Sequence, residues 1–116
     1  MRNNNTKNYK FERINSEILR IVSEVVDFEI KDERVCGNVK VTGIKLSRDC
    51  SHCKVFVDIN YSDKKEVLAG LKNASGFVRH VIAEQLDLKK TPEIVFLIDE
   101  SIDRVKRIEE LLEQIK

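Results

Sequence analysis

Cys50-Ser51-His52-Cys53 is the run of residues most suggestive of covalent chemistry. A C-x-x-C pair serves as a redox dithiol or as half of a zinc site, with Cys36 or His52 as a possible third ligand. The setting is poor for both uses. Thioredoxin-type pairs open a helix after a strand, whereas this pair bridges a turn into a predicted strand, and no second C-x-x-C closes a structural zinc site. With three cysteines no disulfide framework is expected, and no metal or other cofactor. His80 has no nucleophile and orienting acid patterned around it. Asp99, Glu100 and Asp103 open a predicted helix, where carboxylates favour the macrodipole. Walker loops, Gly-rich dinucleotide turns and H-E-x-x-H runs are absent, so no catalytic role is expected.

The remaining candidate chemistry is electrostatic. In 116 residues, 21 Lys and Arg nearly cancel 20 Asp and Glu, so a polyanion must be met by a local patch rather than by a global field. Two segments are locally basic. Residues 1–20 carry Arg2, Lys7, Lys10, Arg13 and Arg20 against Glu12 and Glu17. Residues 64–90 carry Lys64, Lys65, Lys72, Arg79, Lys89 and Lys90 against Glu66, Glu84 and Asp87. Within the second lies Ala74-Ser75-Gly76, where Gly76 permits close approach of a phosphate and a restarting helix would offer free N–H groups to an anion. Lys72 and Arg79 flank that site. The plainer alternative is that Ala74 and Gly76 are small so that two helices can cross. Aromatics at 6%, with no Trp, weigh against a surface that reads several stacked bases.

The elements that must position these groups follow from periodicity. Phe11, Ile14, Ile18, Ile21, Val22, Val25 and Phe28 recur at helical steps, predicting a first helix over residues 9–28, with residues 1–8 as a flexible polar arm. Val39 and Val41, then Ile44 and Leu46 on the opposite parity, predict a strand bulged at Gly43. Cys53, Val55, Val57, Ile59 and Tyr61 alternate as its antiparallel partner. Asp63 and Glu66 mark a helix start, Ala74-Ser75-Gly76 an interruption into a second helix, and Thr91-Pro92 an exit. Ile94, Phe96 and Ile98 share one face of a third strand, and Ile102, Val105, Ile108, Leu112 and Ile115 one face of a last helix. The fold class is therefore α+β, in the order α-β-β-α-α-β-α, a mixed sheet with helices on one side. One domain spans 9–99, and the helix at 100–116 packs on it or extends from it. No secretory or membrane-spanning apolar stretch is present, and a cytoplasmic location is expected.

This order resembles the type II KH arrangement, except that Ala74-x-Gly76 stands where RNA-binding members carry Gly-x-x-Gly. Several motifs in sequence order resemble the ribosome-binding factor A family: Val41-Thr42-x-Ile44-x-Leu46-Ser47-x-Asp49 running on to Val55-Phe56-Val57, Gly76-x-Val78-Arg79, and Pro92-Glu93-Ile94-x-Phe96-x-x-Asp99-x-Ser101. Cys50 and Cys53 depart from the family's frequent Leu and Ala, and Lys89-Lys90 from a frequent Arg. The resemblance implies a KH-like domain with an Ala-x-Gly interhelical kink. It also implies a non-enzymatic assembly factor, monomeric, that binds the free 30S subunit and supports late maturation of 16S rRNA, including the precursor 5′ end. The expected RNA contacts are Lys72, Ser75, Gly76, Arg79, Lys89, Lys90, Arg13 and Arg20. A general KH-like RNA-binding protein is the alternative, and a thiol or zinc protein a more distant one.

Overall fold

The computed structural model describes the backbone of residues 2–115 and the side chains of residues 10–101 and 104–115. Helix α1 (Arg2–Glu24) is followed by a π-helical turn (Val25–Glu29), strands β1 (Val39–Leu46) and β2 (His52–Ile59), helix α2 (Lys64–Gln85), strand β3 (Glu93–Ile98) and helix α3 (Ser101–Ile115). Ile18, Ile21 and Val22 form the buried face of α1, continued by Val25 in the π-helical turn, as their spacing predicts. The backbone of residues 2–8, expected as an arm, instead continues the helix; this Asn-rich stretch holds no Gly or Pro to stop it. At the other end, the Ile30 N–H donates to the Val25 carbonyl at 3.1 Å, a five-residue step. The extra residue turns the chain, so Phe28, expected in the core, is 83% exposed while Val26 and Ile30 are buried.

The sheet order is β1-β2-β3. β1 and β2 are antiparallel, with Val39 opposite Ile59 and Leu46 opposite Cys53; the register slips between Val41 and Gly43, where the change of parity predicts a bulge. Thr42 is the unpaired residue. Its hydroxyl reaches the Phe56 carbonyl at 3.2 Å and the Asp99 carboxylate at 2.6 Å, tying the bulge to the exit from β3. β3 runs parallel to β2, which α2 makes possible by carrying the chain back. Alternation turns Cys53, Val55, Val57, Ile59, Ile94 and Phe96 into one core with α1 and α2.

One expectation gives way here. α2 is a single unbroken helix through Ala74-Ser75-Gly76, not a helix-kink-helix, so the order is three helices around three strands. Gly76 has no left-handed backbone and lies where an added Cβ meets nothing within 4 Å, so neither a turn nor a crossing demands it. α3 extends from the domain without packing along any other element, and Val105, Ile108, Leu111, Leu112 and Ile115 on its apolar stripe are exposed.

The hairpin turn is held by a carboxylate. Asp49 accepts from the hydroxyls of Ser51 (2.7 Å) and Ser47 (2.8 Å) and from the Ser51 N–H (3.1 Å), which lowers its pKa from 3.8 to about 2. In the 30–38 loop, Asp32 is likewise lowered to about 2 by hydrogen bonds from the Arg34 side chain and N–H. Hydrogen bonds from Ser101 and Thr42 lower Asp99. A carboxylate depressed in the folded state contributes stability that is complete above its unfolded pKa and disappears as pH falls through the folded one. Thermal unfolding followed by circular dichroism should therefore show the melting temperature falling as pH drops from about 4 to about 2, with a shallower fall in Asp49→Asn.

Candidate nucleic-acid interface

α2 starts where the Asp63 carboxylate accepts from the Glu66 N–H at 3.2 Å. Its buried stripe is Val67, Leu71, Val78 and Ile82. Lys72, Gly76 and Arg79, at spacings of four and three, share the exposed side, with half-buried Ser75 beside them. The Arg79 guanidinium donates to the Thr91 carbonyl at 3.0 Å. That bond ties the exposed face of α2 to the segment after it, which carries Lys89 and Lys90. One of five guanidinium N–H donors is engaged, leaving others for a phosphate. Lys72, Lys89 and Lys90 are exposed and make no ion pair among the described residues.

Other expected contacts fall differently. Arg13 lines a cleft with Lys10, Glu17, Gln85 and Leu86, where α1 meets the end of α2, and so borders the Lys89-Lys90 segment. Arg20 is held by Glu17 at 3.2 Å and Glu24 at 3.4 Å on its own helix, and its charge is answered locally. Ser75 donates its hydroxyl proton to the Lys72 carbonyl at 2.7 Å. The anion site expected at Gly76 is absent, because the N–H groups that follow it lie inside a continuous helix rather than at a free N-terminus. Since Gly76 has no close neighbour, Gly76→Ala should raise stability by about 0.5–1 kcal/mol in chemical denaturation. A loss of stability would instead mean that the helix breaks there.

Some charged groups escaped the sequence. Arg48, in the hairpin turn, lies 5.5 Å from the centroid of the Phe11 ring and joins the turn to α1, a contact no local spacing announces. The thiols are dispersed. Cys53 is buried and its pKa is raised to about 11, opposing the thiolate that redox or zinc chemistry needs. Cys36 precedes β1 and Cys50 follows it, so a strand length of about 25 Å separates them. His52 meets Glu93 at 3.5 Å and His80 meets Glu84 at 3.0 Å, both at the surface.

Comparison with known proteins decides the family. A family model described as ribosome-binding factor A matches residues 10–112. The chain belongs to that family. It is 47% identical over 107 residues to ribosome-binding factor A of Microcystis aeruginosa, covering 90% of this chain and 84% of the relative. It is 37% identical over 112 residues to that of Clostridium botulinum, covering 94% and 97%. The crystal structure of ribosome-binding factor A from Thermus thermophilus superposes with a TM-score of 0.70 at 20% identity, over 78% of this chain and 96% of the other. A Thermus thermophilus ribosome-binding factor A fitted into a cryo-electron microscopy map of a 30S complex gives 0.63 at 20%, over 76% and 93%. A solution structure of a ribosome-binding factor from Mycoplasma pneumoniae gives 0.56 at 34%, over 79% and 96%. This member of the ribosome-binding factor A family thus presents its cations along α2 and the 86–92 segment. No helix among the described residues is long and apolar enough to cross a membrane.

Proposed function

We propose that the chain is a cytoplasmic assembly factor that binds the free 30S subunit and supports late maturation of 16S rRNA, including processing of the precursor 5′ end, without itself catalysing a reaction. Family membership supports the subunit as partner, and so does the 30S complex of the Thermus thermophilus relative. The structural observation that carries it is the Arg79 to Thr91 hydrogen bond, which ties the exposed side of α2, with Lys72 and Arg79, to the segment that carries Lys89 and Lys90. Lys and Arg there supply affinity through phosphates, and the shape of an unfinished RNA junction supplies selectivity, since base-reading aromatics are scarce. To promote maturation the factor must prefer one ribosomal state over another, because equal affinity for both shifts neither.

The test is co-sedimentation with free small subunits, large subunits and assembled ribosomes over a salt series. Selective binding to free small subunits that weakens steeply with salt is the expected result. Equal binding to unrelated single-stranded RNA would favour a general RNA-binding role, and indifference to every ribosomal particle at low salt would remove the assignment.

A further inference from the structure

The face of the sheet turned away from α1 and α2 carries groups that the α2 interface does not use. With Cys53, Val55, Val57 and Ile59 inward, alternation along β2 sends Lys54, Phe56 and Asp58 outward. The register places Lys45 opposite Lys54 and Gly43 opposite Phe56 on β1, with Val95 beside Lys54 and Leu97 beside Phe56 on β3. Val95 and Leu97 are 38% and 36% exposed, and α3 borders this face only at its Asp58 end, where Lys106 lines a cleft with Asp58 and Tyr61.

Two features mark this face. Like charges directly opposite each other on antiparallel strands repel, yet Lys45 and Lys54 are paired in this way, both exposed and neither meeting a carboxylate among the described residues. In the next row Gly43 leaves the β1 side of Phe56 without a cross-strand side chain, and a Cβ built on Gly43 meets nothing within 4 Å. Unpaired ammonium groups beside a half-buried ring with open space next to it match a polyanion that also has flat, stackable bases. An acidic protein would use the lysines but not the uncovered ring.

We propose that this open sheet face binds a single-stranded segment of ribosomal RNA, with phosphates on Lys45 and Lys54 and a base against Phe56. It rests on the ribosomal function proposed above and adds a second RNA surface to it. With RNA on both surfaces the domain stands between two RNA elements, and it binds tightly only where both are within reach, which is a means of recognising one ribosomal state.

Lys54→Glu tests this without endangering the fold, since it converts a repulsive cross-strand pair into an attractive one. The probes are small subunits, followed by sedimentation, and an unstructured RNA of about ten nucleotides, followed by amide shifts, a length within the range one such surface holds. The oligonucleotide should shift the amides of Lys54, Phe56 and Leu97. Lys54→Glu should bind both probes about tenfold more weakly with an unchanged or higher melting temperature, and Phe56→Leu should weaken the oligonucleotide about tenfold. If both variants bind as the wild type does while reversal of Arg79, Lys89 and Lys90 releases the subunit, the sheet face holds no RNA and the proposed function stands. If Lys54→Glu loses the subunit but the wild type shows no oligonucleotide shifts, the occupant is a protein and the inference fails. A wild-type chain that ignores small subunits overturns both.

Discussion

Replacing Arg79, Lys89 and Lys90 together with glutamate should lower affinity for the free small subunit by 100-fold or more at about 0.1 M salt, on the basis of three lost phosphate contacts. The slope of log affinity against log salt should flatten by about 2 to 3 over the same series, at roughly 0.7 to 0.9 per phosphate. The three cations belong together because the Arg79 guanidinium holds the Thr91 carbonyl, next to the two lysines. Their replacement touches no buried side chain, and the lost hydrogen bond is at the surface, so stability should fall by no more than about 1.5 kcal/mol. Arg20→Gln is the control at a cation held by its own helix. Because Glu17 and Glu24 already answer that charge, its removal should leave subunit affinity within about twofold, which is less than one full phosphate contact. A loss in Arg20→Gln as large as that in the single variant Lys90→Gln, which removes the same one charge, would mean that net charge, and not the α2 face, governs binding.

Gly70→Leu should destabilise the fold by about 2–3 kcal/mol and lower the melting temperature by roughly 10 °C. On an open helix, leucine in place of glycine would be favourable by nearly 1 kcal/mol. Gly70, however, is buried where α2 meets the 30–38 loop, and a Cβ on it would lie 3.0 Å from the Asp32 carboxylate and 3.1 Å from a methyl of Val35. A full side chain must displace Val35 from the core or break the contact between Asp32 and Arg34, whose Nη2 reaches the carboxylate at 2.6 Å. The contrast with Gly76→Ala is informative, because two glycines on one helix should respond with opposite signs. Denaturant titration of both variants measures it, and a stabilising Gly70→Leu would mean that the loop does not pack there.

Much of this chain is legible from local physics alone. The 3.6-residue spacing of Ile18, Ile21, Val22 and Val25, the two-residue alternation from Cys53 to Ile59, the parity change at Gly43 and the Asp63 cap each involve neighbours in sequence, and each recurs in the fold. The motifs around Val41, Gly76 and Pro92, read in order, also point to the ribosome-binding factor A family. The sequence misleads at Ala74-Ser75-Gly76, because glycine lowers helix propensity by only about 1 kcal/mol, and a helix anchored by Val67, Leu71, Val78 and Ile82 on the core absorbs that cost. It misleads at Phe28 as well, because one extra residue in a π-helical turn reverses which side of the chain faces inward.

By itself, then, the sequence determined which segments are helices and strands, which of their faces are apolar, and to which family they belong, since all of these depend on residue type and short spacing. Only the tertiary structure decided which cations act together. The Arg79 bond to Thr91, the capture of Arg20 by its own helix, the opposed Lys45 and Lys54, and the close fit of Gly70 against Asp32 and Val35 depend on how elements pack and in what register. Charge acts through space and falls with distance, so its effect is set by neighbours that the chain brings together only on folding.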